Sequence, residues 1–250
     1  GRIHHGLGAD GDASGVRQTE SGRDTILDQG KIRTLQNWLS LIPKDYKNHH
    51  PWLLIAEALV LVYVGELDLS ERALGRVEET LEILAAEERK QVLAYLYAIR
   101  AYALWIKGSA ERSGELALQA LDLISQEASS LRAFVLMVLG ATYIQRHAYL
   151  EAKRALITSI DMAKQTGSDH IHILTASHLV YLLTNQMKFS EAEHIAQKVI
   201  ALYETQSAQT SPAIAQLYTM LADIYTKRDQ LDEALALAEK GLQISKRWNQ

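Results

Sequence analysis

The chain of 250 residues has no cysteine, three prolines, two phenylalanines and no apolar run long enough to cross a bilayer. Without thiols there is no disulfide framework, no thiolate zinc site and no cysteine nucleophile. Proline this sparse disfavours a β-sandwich punctuated by turns and favours long uninterrupted helices. A basic excess is missing too: 26 Lys and Arg against 30 Asp and Glu leave a net charge of −4, with no electrostatic footprint for a polyanion. What the chain does have is 48% hydrophobic residues, ample for a core at this length. These balances predict a soluble, cytoplasmic, all-α protein that neither enters a membrane nor binds nucleic acid directly.

Residues 1–24 stand apart from the rest. They hold six of the 14 glycines, show no apolar periodicity and do not begin with Met. The stretch reads as a flexible tail or expression remnant ahead of a repeat domain over 25–250, and it lacks the apolar segment of a signal peptide. Gly6-Leu7-Gly8-Ala9-Asp10-Gly11 formally matches a dinucleotide fingerprint. That motif works only between a strand and a helix N-terminus. Arg2-Ile3-His4-His5 is too short and polar for the strand, and Asp12-Ala13-Ser14-Gly15 does not open a helix. The match is read as chance, and no cofactor is expected.

From Thr25 onward, apolar residues recur at three- and four-residue spacing, which predicts helices over 25–41, 51–64, 68–86, 88–107, 112–126, 129–146, 149–166, 169–187, 190–205, 211–228 and 231–248. Pro51 suits a first helical turn, as does Pro212 behind a Ser211 cap. Ser190-Glu191-Ala192-Glu193 has capping-box spacing, and Gly65, Gly108 and Gly167 mark helix ends. The short loops between these helices make neighbours antiparallel.

A repeat runs through them. Gly140 and Tyr143 lead to Ala152, Val180 and Leu183 to Ala192, and Ala222 and Tyr225 to Ala234. The anchor alanines lie 40 and 42 residues apart, with fainter copies anchored at Ala73 and Ala117. A small residue at a helix crossing permits close approach, while the aromatic fills the adjacent groove. Neither helix of a pair buries its apolar face alone, so pairs must stack as a superhelix. Leu139-Gly140-x-x-Tyr143…Ala152 resembles the tetratricopeptide (TPR) consensus, stretched beyond its usual period of about 34 residues. The expected fold is a TPR-like α-α superhelix, a solenoid of antiparallel helix pairs with lengthened repeats.

A narrower resemblance rests on Leu35-x-x-Trp38-Leu39-x-x-Ile42-Pro43, then Pro51-Trp52-Leu53-Leu54, then Gly65-Glu66-Leu67…Ala73. These elements look like the opening of the MalT-like TPR region of large ATP-binding regulators of the LuxR type, with Ile42 in place of the usual Leu. In that family the region joins an N-terminal ATPase to a C-terminal helix-turn-helix. No G-x-x-x-x-G-K-[ST] phosphate loop occurs here, and nothing follows Trp248 that could be a helix-turn-helix. The resemblance therefore implies an effector-sensing and interaction region whose ATPase and DNA-binding neighbours belong to a longer parent chain.

Candidates for chemistry are sparse. His170-Ile171-His172, with His178 beyond, is the best metal-like cluster, but a two-residue spacing splits the pair between helix faces, and a polar helix start is the favoured reading. There is no HExxH and no G-x-S-x-G; Glu78-Glu79 and Glu87-Glu88 read as solvated faces, and His49-His50 as a solvated turn. No metal site and no catalytic residue are expected. Tyr95, Tyr97 and Tyr102 share a helix with Trp105 and read mostly as core between repeats, with one member facing the groove.

Carried over from the TPR family, the groove-facing register falls on Phe134, Met137, Ala141, Ile144 and Gln145. It continues at Leu174, Ser177, Tyr181, Thr184 and Asn185, then at Gln216, Thr219, Asp223, Thr226 and Lys227. The polar members Gln145, Ser177, Tyr181, Thr184, Asn185, Gln216, Asp223, Thr226 and Lys227 are the candidate ligand contacts. They suit an extended peptide, a protein segment or a small polar effector. The alternative is a free-standing TPR scaffold, adaptor or peptide receptor; an enzyme on the solenoid, using His172 or His178, is the least favoured class.

Overall fold

Helix-forming sequence with a 3.6-residue apolar period buries one face and must find a partner for it. In a computed structural model, which describes residues 32–127, 129–206 and 213–248, twelve helices meet that demand pairwise. The short helices α1 (Ile32–Leu41) and α2 (Lys44–Asn48) precede five pairs. These are α3 (Pro51–Tyr63) with α4 (Leu67–Thr80), α5 (Ala86–Ile106) with α6 (Ala110–Leu123), and α7 (Ser130–Gln145) with α8 (Tyr149–Thr166). The last two are α9 (Asp169–Asn185) with α10 (Phe189–Gln206), and α11 (Ala213–Lys227) with α12 (Leu231–Trp248). Within the described residues all regular structure is helical. The Gly1–Asp24 tail, residues 25–31 of the predicted first helix and the Ser211-Pro212 cap lie outside the described residues.

Three boundaries differ from expectation. The stretch after Pro43 forms α2, with His49 and His50 each turning Nδ1 onto a carbonyl of that helix at 2.7 Å. A 3-10 turn over Leu81–Ile83 ends the second predicted helix of the first pair early. Ser190 lies inside α10, which begins at Phe189, so the capping-box reading is corrected. Pro51 opens α3 as predicted.

The first helices α3, α5, α7, α9 and α11 pack side by side in succession, and each second helix also touches the first helix of the next pair. That arrangement is the expected stacked solenoid. Leu39 of α1 is buried against Ala56 and Val60 of α3, closing the N-terminal end, whereas Trp38 of the same motif is 55% exposed. Pro51 is buried, Leu53 half-buried and Pro43 exposed. Lys47 is buried with its ammonium 2.7 Å from Glu57, which also takes Arg76 of α4 at 3.1 Å.

The turn inside every pair is built alike. A residue in the left-handed conformation sits two positions before the second helix: Gly65, Gly108, His147, Met187 and Asp229, spaced 43, 39, 40 and 42 residues apart. Glycine enters this region freely; other L-residues are strained there by Cβ. Only the first two turns therefore carried a glycine signal. The regular turn is the true period of the molecule.

Counting from it corrects the fainter anchors. Ala152, Ala192 and Ala234 lie five residues after their turns, as expected, and all three are buried. The equivalent positions in the first two pairs are Ser70 and Ser113, not Ala73 and Ala117, which are buried one turn further along the helices. Each serine is fully buried and donates its hydroxyl to a carbonyl of the first helix, Ser70 to Ala58 at 2.9 Å and Ser113 to Ala101 at 2.8 Å. Sequence periodicity overlooked them because serine is small like alanine but is not counted as apolar. Gly140 occupies the facing position of the third pair, where an added Cβ would stand 2.6 Å from Leu156, a side chain with no room to retreat. Tyr143 and Tyr225 fill the neighbouring grooves, and Ala222 is buried opposite Ala234. Tyr225 also donates to Glu193 of the preceding pair at 2.6 Å.

Gly140→Ala should cost about 1–3 kcal/mol by overpacking this crossing, read as a lower midpoint in urea denaturation followed by far-ultraviolet circular dichroism. Met187→Gly should act oppositely, raising stability by up to about 1 kcal/mol by relieving the left-handed backbone. A lower melting temperature for Met187→Gly would contradict the turn geometry.

Candidate ligand groove

The inner wall of the solenoid is identified by a contact between its first and fourth pairs. Tyr63 at the end of α3 meets His170 in the first turn of α9, Oη to Nε2 at 3.1 Å across 107 residues of sequence. Side chains from pairs so far apart meet only across the hollow of a curved stack. The first helices therefore line the concave side, and this bond narrows its N-terminal half.

That half is aromatic. Trp52 and Tyr95 pack edge to face at 5.4 Å, Tyr63 and Tyr102 approach at 6.1 Å, and Tyr102 stacks on Trp105 at 5.7 Å. Tyr102 also meets the edge of Phe134 at 5.4 Å, while Trp105 stands perpendicular to His178 at 5.1 Å. Burial pushes the Tyr102 phenol up to about 12. A pocket of about 60 Å³ opens among Leu59, Tyr63, Tyr95, Ile99, Phe134 and His170. The Trp105 Nε1–H is buried without an acceptor among the described residues, which is unusual for a strong donor. Gln145, a predicted contact, donates instead to the Trp105 carbonyl at 3.2 Å.

The C-terminal half is more open and polar. Of the predicted contacts, Tyr181 (49% exposed), Asn185 and Gln216 face solvent and make no side-chain hydrogen bond among the described residues. Asp223 and Lys227 are exposed but paired with each other, and Thr226 turns its hydroxyl onto the Ala222 carbonyl at 2.8 Å. Ser177 and Thr184 are buried and bonded to carbonyls of their own helix, Ile173 at 3.0 Å and Val180 at 2.9 Å. Phe134, Met137, Ala141 and Ile144 are buried between neighbouring first helices.

The sequence reading drew its groove register only from the third pair onward and put just one member of the Tyr95–Trp105 set in the groove. The signal for the rest was present: the inner positions counted from Ala58 and Ala101, each twelve before its serine anchor, are Trp52, Leu59 and Tyr63, then Tyr95, Tyr102 and Trp105. Misplacing the anchors at Ala73 and Ala117 hid the others.

The three histidines of α9 do not converge. His170 bonds Tyr63, His178 packs on Trp105, and His172 reaches the Tyr203 hydroxyl of α10 at 2.7 Å. The Tyr203 hydrogen is committed to Asp169 at 3.0 Å, so His172 must donate from Nδ1. Among the described residues no group of three His, Asp or Glu side chains is arranged to hold a metal ion, and no helix is long and apolar enough to cross a membrane.

Paired helices of this length, curved around a lined hollow, define a TPR-like repeat protein. The family model for the MalT-like TPR region matches residues 94–250, well over half of the chain, and the chain belongs to that family. The match begins beyond the Trp38–Ala73 segment on which the narrower resemblance rested. No curated protein matches the chain. Among solved structures it is similar to a Rap protein complexed with competence and sporulation factor (TM-score 0.70, 14% identity, covering 87% of this chain and 59% of that one). It is also similar to BtubC from P. vanneervenii (TM-score 0.63, 14% identity, 87% and 91%) and to the APC/C hetero-tetramer Cut9-Hcn1 (TM-score 0.64, 15% identity, 90% and 39%). At these identities the likeness is one of fold.

Burial lowers His170, His172 and His178 to about 4 each, with Lys164 adding to the effect at His172. The unfolded chain binds these protons near pH 6.5, the native one only near pH 4. Stability should therefore be full above about pH 6.5 and fall as pH drops toward 4, by about 1.4 kcal/mol per pH unit for each histidine within that window. Melting temperature against pH checks this, and His178→Phe should flatten the slope by one proton.

Proposed function

We propose that this chain is the effector-sensing and interaction region of a MalT/LuxR-type transcriptional regulator in the cytoplasm, acting by binding rather than by catalysis. TPR-like folds serve protein interaction, and membership of the MalT-like family favours the regulator over a free-standing scaffold, adaptor or peptide receptor. The observation that carries the ligand site is the row of Tyr181, Asn185 and Gln216. These are exposed groups with no side-chain hydrogen bond among the described residues, on the same wall as the aromatic half.

An extended peptide suits this wall. Its carbonyls match the exposed Asn185 and Gln216 amide donors, and an apolar side chain matches the pocket beside Tyr63. The Rap protein of similar fold is complexed with competence and sporulation factor, which favours a peptide over a small polar effector as the occupant. Ligand that binds one curvature of the solenoid better than another shifts its population, and ATPase and helix-turn-helix neighbours in a longer parent would read that shift. Exposed apolar groups at the two ends, Trp38, Leu41 and Tyr46 on one and Leu231, Leu235 and Leu242 on the other, suit contact with such folded neighbours.

Selection of a displayed peptide library on the folded protein tests the reading. Selected peptides should lose at least about tenfold in affinity when Tyr181→Ala and Asn185→Ala are combined, with the melting temperature unchanged. Peptides that bind the double variant as well as the parent would remove these residues from the site.

A further inference from the structure

On the convex side, consecutive second helices do not pack on each other; they are held apart by the first helix between them. Between α8 and α10 this leaves an open slot of about 290 Å³ over α9. Its walls and floor are apolar: Ile157 and Ile160 from α8, Leu179 and Leu183 from α9, Ile195 and Val199 from α10. Ile157 is 42% exposed and Leu202 39%, so the slot opens to solvent at its rim.

The charged groups that line it are Lys153 and Lys164 on α8, Glu191 and Lys198 on α10, and His172 on α9. They divide between two ends. Lys153 and Glu191 pair at 3.6 Å where α8 and α10 begin, and neutralise that end. On facing walls, Lys198 stands about 10 Å along α10 from Glu191 and Lys164 about 16 Å along α8 from Lys153, with no ion pair to either among the described residues. His172 beside them is neutral near pH 7 and has its Nδ1 engaged by Tyr203. Asp169, which accepts from Tyr203 at 3.0 Å, lies one hydrogen bond beyond His172. The slot is therefore a greasy channel whose far half carries two lysines without a direct ion pair among the described residues. Lys153 and Lys164 are eleven residues apart on α8, so the channel is about 16 Å long at 1.5 Å per residue.

We propose that this slot binds an unbranched aliphatic carboxylate of about eight to ten carbons. The carboxylate sits between Lys164 and Lys198, and the chain lies along Ile157, Leu179, Leu183 and Ile195. A chain of this size suits a slot of about 290 Å³ and its length. Two walls of aliphatic side chains supply the burial, and two unpaired ammonium groups select the anion over an alcohol. The site is separate from the concave groove, whose walls are the opposite faces of the first helices.

Isothermal titration of the full chain with sodium decanoate, decanol and acetate at pH 7.5 tests it. One decanoate should bind per chain, more tightly than decanol, while acetate gives no heat. Lys164→Glu with Lys198→Glu, both exposed substitutions, should weaken decanoate at least tenfold and leave decanol unchanged. Ile157→Trp, which fills the slot, should weaken both. Absence of decanoate binding would overturn the proposal, as would binding that neither variant alters. So would concentration-dependent dimerisation, blocked by Ile157→Trp, in place of decanoate binding, because it would give the slot to a second copy of the chain. Peptide binding at the concave face should be unaffected by these variants, so its failure and that of the slot are distinguishable.

Discussion

Everything in this solenoid depends on how closely the two helices of each pair cross. Four of the five crossings place small side chains on both helices: Gly140 facing Ala152, Ala222 facing Ala234, and Ala58 and Ala101 facing Ser70 and Ser113; in the other pair Val180 faces Ala192. Dispersion and apolar burial grow steeply as helices approach, and a single methyl group in the wrong place forces them apart. The two serines add a hydroxyl bond to the opposing carbonyl, so the pair is tethered as well as packed. Because each pair contacts only its neighbours, the angle set at one crossing is passed to the next and accumulates as curvature.

Curvature in turn makes the groove. Only because the stack bends does Tyr63 of the first pair reach His170 of the fourth, closing the aromatic half while the wall around Tyr181 and Asn185 stays open. The same bend leaves the convex side splayed, with α8 and α10 separated over α9. A single packing constraint thus produces two surfaces of different character. One is concave, aromatic and amide-bearing; the other is aliphatic with two lysines in one half. The buried histidines belong to the same economy of space: α9 carries three of them, each against a different aromatic partner, so its polar groups join helices.

Much of this was legible beforehand where local chemistry is decisive. Helix positions followed from apolar spacing, since a helix must bury a stripe; Pro51, Gly65, Gly108 and Gly167 fell at the predicted boundaries, since φ restricts them. Legibility failed where different residues satisfy one geometric need. His147, Met187 and Asp229 adopt the turn conformation that glycine announces elsewhere, and Ser70 and Ser113 take the place of alanine. With those two anchors misassigned, Tyr63 was not placed on the inner wall, and only one member of the Tyr95–Trp105 set was.

By itself the sequence determined an all-helical chain of antiparallel pairs, their period in the last three repeats, and the absence of thiol chemistry, because helix periodicity, turn preference and composition act over a few neighbouring residues. The tertiary structure alone decided which side chains meet across the hollow. It settled that Ser177 and Thr184 turn inward to their own helix while Tyr181 and Asn185 stay exposed, and that His170 ends against Tyr63. Those outcomes depend on the summed rotation of four successive pairs, and a small difference at each crossing, invisible in any one repeat, moves the far wall by the width of a side chain.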